Sequence, residues 1–144
     1  TQTSRGLGDV YKRQIINFSE KDNFVEIQKV ITRVSKLANK SDLSRDVLST
    51  RDYVNTKLFE KDCELQVFKF IGELEKLFSE GYCNYLELLN LFEINVNTIE
   101  DLFDNEKGVL IMTEDLKIRN NRLNLLSLIR NYSLKIADFT LLNS

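Results

Sequence analysis

The sequence predicts an all-α fold, an antiparallel helical bundle of about five helices, and three observations lead there. It has no proline and only five glycines in 144 residues, so long stretches carry no helix breaker. Apolar residues recur at the i, i+3, i+4, i+7 spacing of amphipathic helices rather than in strand-like alternation. The last such stretch, Glu114 to about Ala137, is apolar around most of its circumference. Ile118, Leu125, Ile129, Tyr132 and Ile136 form one stripe, and Leu116, Leu123, Leu126, Leu134 and Ala137 cover a second face. A helix of that kind must lie between partners, which puts it at the centre of the bundle. A chain of this length has room for one domain burying roughly 68% of its unfolded surface, and no run approaches the roughly 18 apolar residues of a membrane span.

Thr1–Gln14, TQTSRGLGDVYKRQ, holds two of the five glycines and no apolar period. It resembles translated sequencing-adapter read-through at the ends of metagenome-derived reading frames. We therefore expect residues 1–14 to be a non-native, disordered leader and residues 15–144 to form the helical domain; a disordered native terminus is the alternative.

The first helix is expected from about Asn23 to Asn39, with Ser19, Asp22 and Asn23 available as caps. Ile27, Val30, Ile31, Val34, Leu37 and Ala38 make its core face, while Lys29, Arg33, Lys36 and Lys40 fall together on the other side. Such a basic stripe reads either as a solvated surface or as a contact for a polyanion. Ser41–Phe59 is polar and aperiodic, a loop with one short helical turn. The second helix, about Lys61–Phe78, turns Cys63, Val67, Phe70, Ile71, Leu74, Leu77 and Phe78 inward, and Gly81 is placed to stop it. A third, about Asn84–Glu93, brings Tyr85, Leu86, Leu88, Leu89 and Phe92; a fourth, about Val96–Phe103, brings Ile99, Leu102 and Phe103. Short connections between these helices favour antiparallel neighbours.

Catalytic constellations are absent from the sequence. It has no histidine, no phosphate-binding glycine loop and no cysteine with a partner base. Cys63 and Cys83 form no metal pattern and read as small core residues of a reducing compartment. Acidic residues gather at Glu100, Asp101, Asp104 and Glu106, and again at Glu114 and Asp115, where a helix N-terminus favours negative charge. The net charge of −2 hides a division: Glu60–Lys107 holds twelve acids and four bases, Leu116–Lys135 five bases and no acid, and Phe24–Lys40 four bases and one acid. The first and last helices could therefore share one positive surface, with any nucleic-acid binding local rather than general.

The ordered series Leu102-Phe103-Asp104, Val109-Leu110-Ile111-Met112, Asp115, Arg119, Asn121-Arg122-Leu123-Asn124-Leu125-Leu126 and Ala137-Asp138-Phe139 resembles the extreme C-terminus of the β subunit of bacterial tetrameric glycyl-tRNA synthetases. Arg33–Leu37 with Lys40 and Ser41 is similar to an earlier segment of that family, and Val54–Phe59 matches in part. The loop Asn105-Glu106-Lys107-Gly108 departs from the family by being longer. The resemblance implies an anticodon-binding, DALR-like helical domain of the kind also attached to arginyl-tRNA synthetases. It implies tRNA(Gly), the remainder of the β subunit and the α subunit of an α2β2 tetramer as partners, in the cytoplasm or plastid stroma, with no membrane and no DNA. Glycine activation with ATP would reside in the α subunit, leaving this chain no catalytic residue, metal or cofactor of its own.

On that reading Lys29, Arg33, Lys36 and Lys40 are expected on the tRNA backbone. Lys117, Asn120 and Asn124, on a polar face shared with Asn131 and Lys135, are candidates on the last helix together with Asn121. Tyr53 and Tyr82 could stack on unpaired bases, whereas Tyr132 lies in a core stripe and reads as structural. Arg119, Arg122 and Arg130 fall among apolar residues, where a guanidinium needs an acid or an anionic ligand. Arg122 is expected to form a structural ion pair with Asp104 or, failing that, Asp101. The alternatives are a helical protein-interaction bundle in a larger assembly and the equivalent domain of an arginyl-tRNA synthetase.

Overall fold

The computed structural model describes residues 22–80 and 85–136. The leader, the Ser19 cap, Gly81, Tyr82, Cys83, Asn84 and the Ala137-Asp138-Phe139 ending lie outside them. Among the described residues there are five α-helices and no strand: α1 (Asp22–Ala38), α2 (Asp62–Ser79), α3 (Tyr85–Ile94), α4 (Val96–Asp101) and α5 (Leu116–Ile136), with a 3-10 turn at Thr56–Leu58. The helices pack together as the all-α prediction requires, and none is long and apolar enough to cross a membrane.

Helix α5 holds the centre. It packs chiefly on α1 and also on α2 and α3. From residue 121 to 133 every residue is buried except half-buried Asn124, as a helix apolar on most faces demands. Asp115 starts it, its carboxylate accepting from the N–H of Lys117 at 2.9 Å and of Ile118 at 3.2 Å. This carboxylate meets two of the donors a helix N-terminus leaves without partners. Leu116 corrects the second apolar face: it stands 63% exposed in the first turn, with residues 114–117 all in solvent, and Leu134 is only half-buried.

The other helices supply the walls. Phe24, Ile27, Val30, Ile31, Val34 and Ala38 bury one face of α1. Cys63, Val67, Phe70, Ile71 and Leu74 do the same for α2. Edge-to-face ring pairs join α2 to its neighbours, Phe70 to Phe92 at 5.3 Å and Phe78 to Tyr132 at 6.0 Å, each contributing about 0.5–1.5 kcal/mol beyond area burial. Helix α3 turns Leu88, Leu89 and Phe92 inward but leaves Tyr85 exposed, against expectation.

The departure from a plain bundle is the segment 41–58, an irregular strap laid along α5. Its backbone has no ladder of its own, so side chains must satisfy it. Those side chains come largely from α5. The carbonyls of Ser44 and Val47 accept from Asn131 Nδ2 at 2.9 and 2.7 Å, Leu48 accepts from the Tyr132 hydroxyl at 2.6 Å, and Leu43 from Arg130 at 3.4 Å. The strap then returns: Thr50 N–H donates to Glu75 of α2 at 2.6 Å, the Tyr53 carbonyl accepts from Asn124 at 2.8 Å, and Asn55 exchanges two bonds with Asn121 at 2.7 and 3.0 Å. Asn131, read from the sequence as part of a solvent-facing polar face, is fully buried here. A polar side chain on a buried helix face is explained once the carbonyls it serves are found.

The long loop after α4 is a tight turn rather than a slack insertion. The Asp104 carboxylate accepts from the N–H of Glu106 at 2.9 Å and of Lys107 at 2.8 Å, and these two bonds hold it below the usual carboxylate range. Gly108 closes the turn where a Cβ would lie 2.5 Å from the carbonyl oxygens of Leu102 and Asp104, so only glycine fits.

Candidate nucleic-acid interface

All four cations of the basic stripe are exposed, Lys29, Arg33 and Lys36 on α1 and Lys40 just past its end. Among the described residues no carboxylate lies within salt-bridge distance of any of them, since the ion pairs there all belong to Arg122. The Arg33 guanidinium stacks 4.3 Å over the Phe103 ring at the end of α4. Stacking holds the guanidinium flat on the ring and leaves its N–H edge for an anion. The stripe is not uniform. Glu26, Glu100 and Asp104 share a groove with Lys29 and Arg33, so the positive field is weaker there than toward Lys36 and Lys40.

The second expected face lies at the first half of α5. Lys117 and Asn120 are exposed and line an open groove of about 590 Å³ whose opposite wall is the returning strap, Tyr53, Val54, Thr56 and Leu58. A shallower groove of about 270 Å³, lined by Ser41, Asp42, Leu43, Asn120 and Asn124, adjoins it through the two asparagines. Ser41 follows Lys40 directly, and its hydroxyl donates to Asn124 Oδ1 at 3.2 Å. The folding of the strap thus brings the Lys40 end of the α1 stripe beside Asn120 and Asn124, two sets of residues that lie far apart in the chain.

Asn121 reaches the wall of this groove but has little of its amide left for a ligand. It is buried, and both ends of its amide are used by the Asn55 backbone. Asn124 is half-buried and also serves the strap, so what it can offer a ligand is its second N–H and what its oxygen retains beside Ser41.

Arg122 is an ion-paired structural residue, but not with the expected acid. It is 4% exposed. Its Nη2 meets Glu60 at 2.8 Å, its Nε meets Glu64 at 3.4 Å, and its Nη1 donates to the Leu110 carbonyl at 2.7 Å. Asp104 is occupied by the turn it caps, whereas Glu64 sits fully buried on the first turn of α2. There its Oε1 accepts from the N–H of Glu60 at 2.9 Å and of Lys61 at 3.1 Å. A carboxylate three residues into a helix that reaches back to the preceding N–H groups is a sequence-visible signal; Lys61-x-x-Glu64 carries only half of it, because lysine cannot accept.

Among the described residues Arg130 has no acid partner. Asn131 Oδ1 and the Leu43 carbonyl hold it, and burial, with Arg45 nearby, lowers its pKa. Arg119 is half-buried with its Nε unbonded among the described residues. Neither presents a face to a ligand comparable to the α1 stripe. Sequence reasoning missed the strap as one wall of the groove, since an aperiodic segment carries no signal for what it packs against. Among the described residues no cluster of three or more His, Cys, Asp or Glu is placed to hold a metal.

No protein-family model matches the chain. It is 35% identical over 116 residues to the glycine–tRNA ligase beta subunit of Gloeothece citriformis, 79% of this chain and 16% of that protein. It is 37% identical over 117 residues to the one from Acaryochloris marina, and 32% identical over 139 residues, 94% of this chain and 19% of the relative, to the one from Trichodesmium erythraeum. The chain therefore spans less than a fifth of the length of the relatives it matches.

Proposed function

Because this chain is homologous to a segment of glycine–tRNA ligase beta subunits, we propose that it is the tRNA anticodon-recognition module of such a subunit. In this reading it supports the ATP-dependent attachment of glycine to tRNA(Gly), the chemistry being carried by a separate α subunit in an α2β2 tetramer in the cytoplasm or a plastid. The observation that supports an RNA-binding role is the run of exposed cations Lys29, Arg33, Lys36 and Lys40, without an ion pair among the described residues, which leads in the chain to Ser41 on the groove that Asn120 lines. Unpaired surface cations are free to displace the counterions of a phosphate backbone. A groove walled by an aromatic residue suits an unstacked base of a tRNA loop.

A second reading rests on a different surface. Leu110 is 71% exposed, and Met112 and Leu116, further along the same stretch of chain, are exposed as well. An apolar patch of this kind suits docking onto a larger assembly, and the two readings are compatible. An arginyl-tRNA synthetase origin has no such observation behind it.

The α1 stripe provides the test. Each phosphate contact contributes roughly 0.7–0.9 to the slope of log K against log salt. Replacing Arg33 and Lys36 together by Gln should flatten the slope for tRNA(Gly) by about 1–2 units while leaving discrimination between anticodons nearly unchanged. Stability should fall little, since the Arg33–Phe103 stack contributes only about 0.5–1 kcal/mol. An unchanged salt slope would show that the stripe is only a solvated face.

A further inference from the structure

We infer that the groove between the strap and the first half of α5 is a subsite for one unstacked nucleobase, held face-on by the Tyr53 ring and read at its edge by Asn120 and Lys117. The inference rests on the tRNA-binding reading and assigns to one place what that reading leaves spread over a surface.

Tyr53 carries the argument. Its ring is 41% exposed and lines the groove wall. Its backbone is fixed from three sides. The Tyr53 carbonyl accepts from Asn124 at 2.8 Å. Its N–H and that of Val54 donate to the Thr50 carbonyl at 3.2 and 3.0 Å, and the N–H of Thr50 is in turn anchored on Glu75. Two residues on, Asn55 is clamped by Asn121. The residue before Tyr53 is Asp52, which adopts φ 69°, the one left-handed non-glycine residue among those described. Backbone held in a sparsely populated conformation by its surroundings is a recurrent feature of ligand sites.

The opposite wall offers edge contacts. Asn120 is exposed at the rim, and its amide offers a donor and an acceptor side by side. Lys117 adds a cation at the same rim. The groove of about 590 Å³ is large enough for a nucleotide. The adjoining groove past Asn124 is lined by Ser41 and Asp42, directly after Lys40 in the chain, so a phosphate flanking a splayed base would meet the Asp42 acid as well as the Lys40 charge. A small apolar ligand is a poor fit, because the site is wide open and its rim is polar, with one acid, Asp52, and one cation, Lys117. An acidic peptide would use Lys117 but would have no use for a bare ring.

The experiment uses the full 144-residue chain and a hairpin RNA carrying the tRNA(Gly) anticodon loop, with 2-aminopurine replacing one loop base at a time. Stacking on Tyr53 should quench one loop position more than the others when protein is added. Tyr53→Ala should abolish that position-specific quench and weaken binding by roughly 5- to 150-fold, the range for losing one stacked base. Tyr53→Phe should restore both, because the ring and not the hydroxyl makes the contact. The salt slope should be the same in all three proteins, since no phosphate contact is removed. Equal affinity and quench in Tyr53→Ala and the unaltered chain, with the salt slope still sensitive to Arg33 and Lys36, would overturn the subsite and leave the RNA-binding reading standing. Absence of binding to the hairpin by the unaltered chain at low salt would overturn both.

Discussion

Arg122→Ala is expected to cost about 3–5 kcal/mol of folding stability, the largest effect of any single polar substitution in this chain. The cost arises less from the bonds that disappear than from the charge that stays behind. Glu60 is mostly exposed, and its half of the pair is screened by water, so it contributes little. Glu64 is fully buried; without Arg122 it keeps the two N–H bonds of the α2 start but is left without its counter-charge in a low-dielectric setting. The Leu110 carbonyl is left without its partner as well. Denaturant midpoints should therefore show partial recovery when Glu64→Gln is added to Arg122→Ala, because the amide removes the stranded charge and keeps an acceptor for the backbone. If the single variant loses under about 1 kcal/mol, or the second substitution makes matters worse, the pair is not the buried interaction described here.

Leu126→Ala is expected to cost about 2–5 kcal/mol by opening a cavity in the middle of α5. Leu126 is fully buried, on the helix that α1, α2 and α3 all pack against, so collapse from one side cannot close the space. The measurement is again a denaturant melt. A loss under about 0.5 kcal/mol, well below the range for a core truncation, would mean that α5 is not the core of the bundle.

Helix positions are legible in the sequence because the apolar period carries them. Ile27, Val30, Ile31 and Val34 on α1, and Val67, Phe70, Ile71 and Leu74 on α2, are buried as spaced. The burial of α5 from residue 121 to 133 is legible for the same reason, but not the exposure of Leu116 in its first turn. Periodicity marks a residue as polar, but it does not say whether its partner is water, RNA or backbone. Asn121 and Asn131 read as surface residues and are instead the hydrogen-bonding partners of the strap. The strap itself reads as a loop with one short turn, and that turn is present at Thr56–Leu58. Its course along α5 is not legible, because it is set by side chain to backbone bonds between residues more than sixty positions apart. The partner of Arg122 escapes for a related reason. Asp104 and Glu64 are both available acids, and only the fold shows that one is capping its own turn while the other is buried beneath the guanidinium.

The basic stripe on α1 is legible as a set, and the fold leaves it exposed. What the sequence does not supply is its neighbourhood: Arg33 laid on Phe103 at one end of the stripe, and the Ser41–Asn124 bond bringing the other end to the α5 groove. A cationic helix face alone is sequence-blind toward RNA. The recognition proposed here depends on the face and the groove acting on one molecule.

The central claim is that this chain distinguishes a tRNA by its anticodon loop, and the most direct measurement compares two RNAs on one protein. Binding of the full chain to tRNA(Gly), and to the same tRNA with only the anticodon bases replaced, is measured at a single salt concentration. The account predicts that the altered tRNA binds more weakly by roughly 10-fold or more, within the range of about 1–3 kcal/mol for one well-read base, with equal salt slopes for the two RNAs. Equal affinities would contradict it, reducing the surface to nonspecific attraction for phosphate.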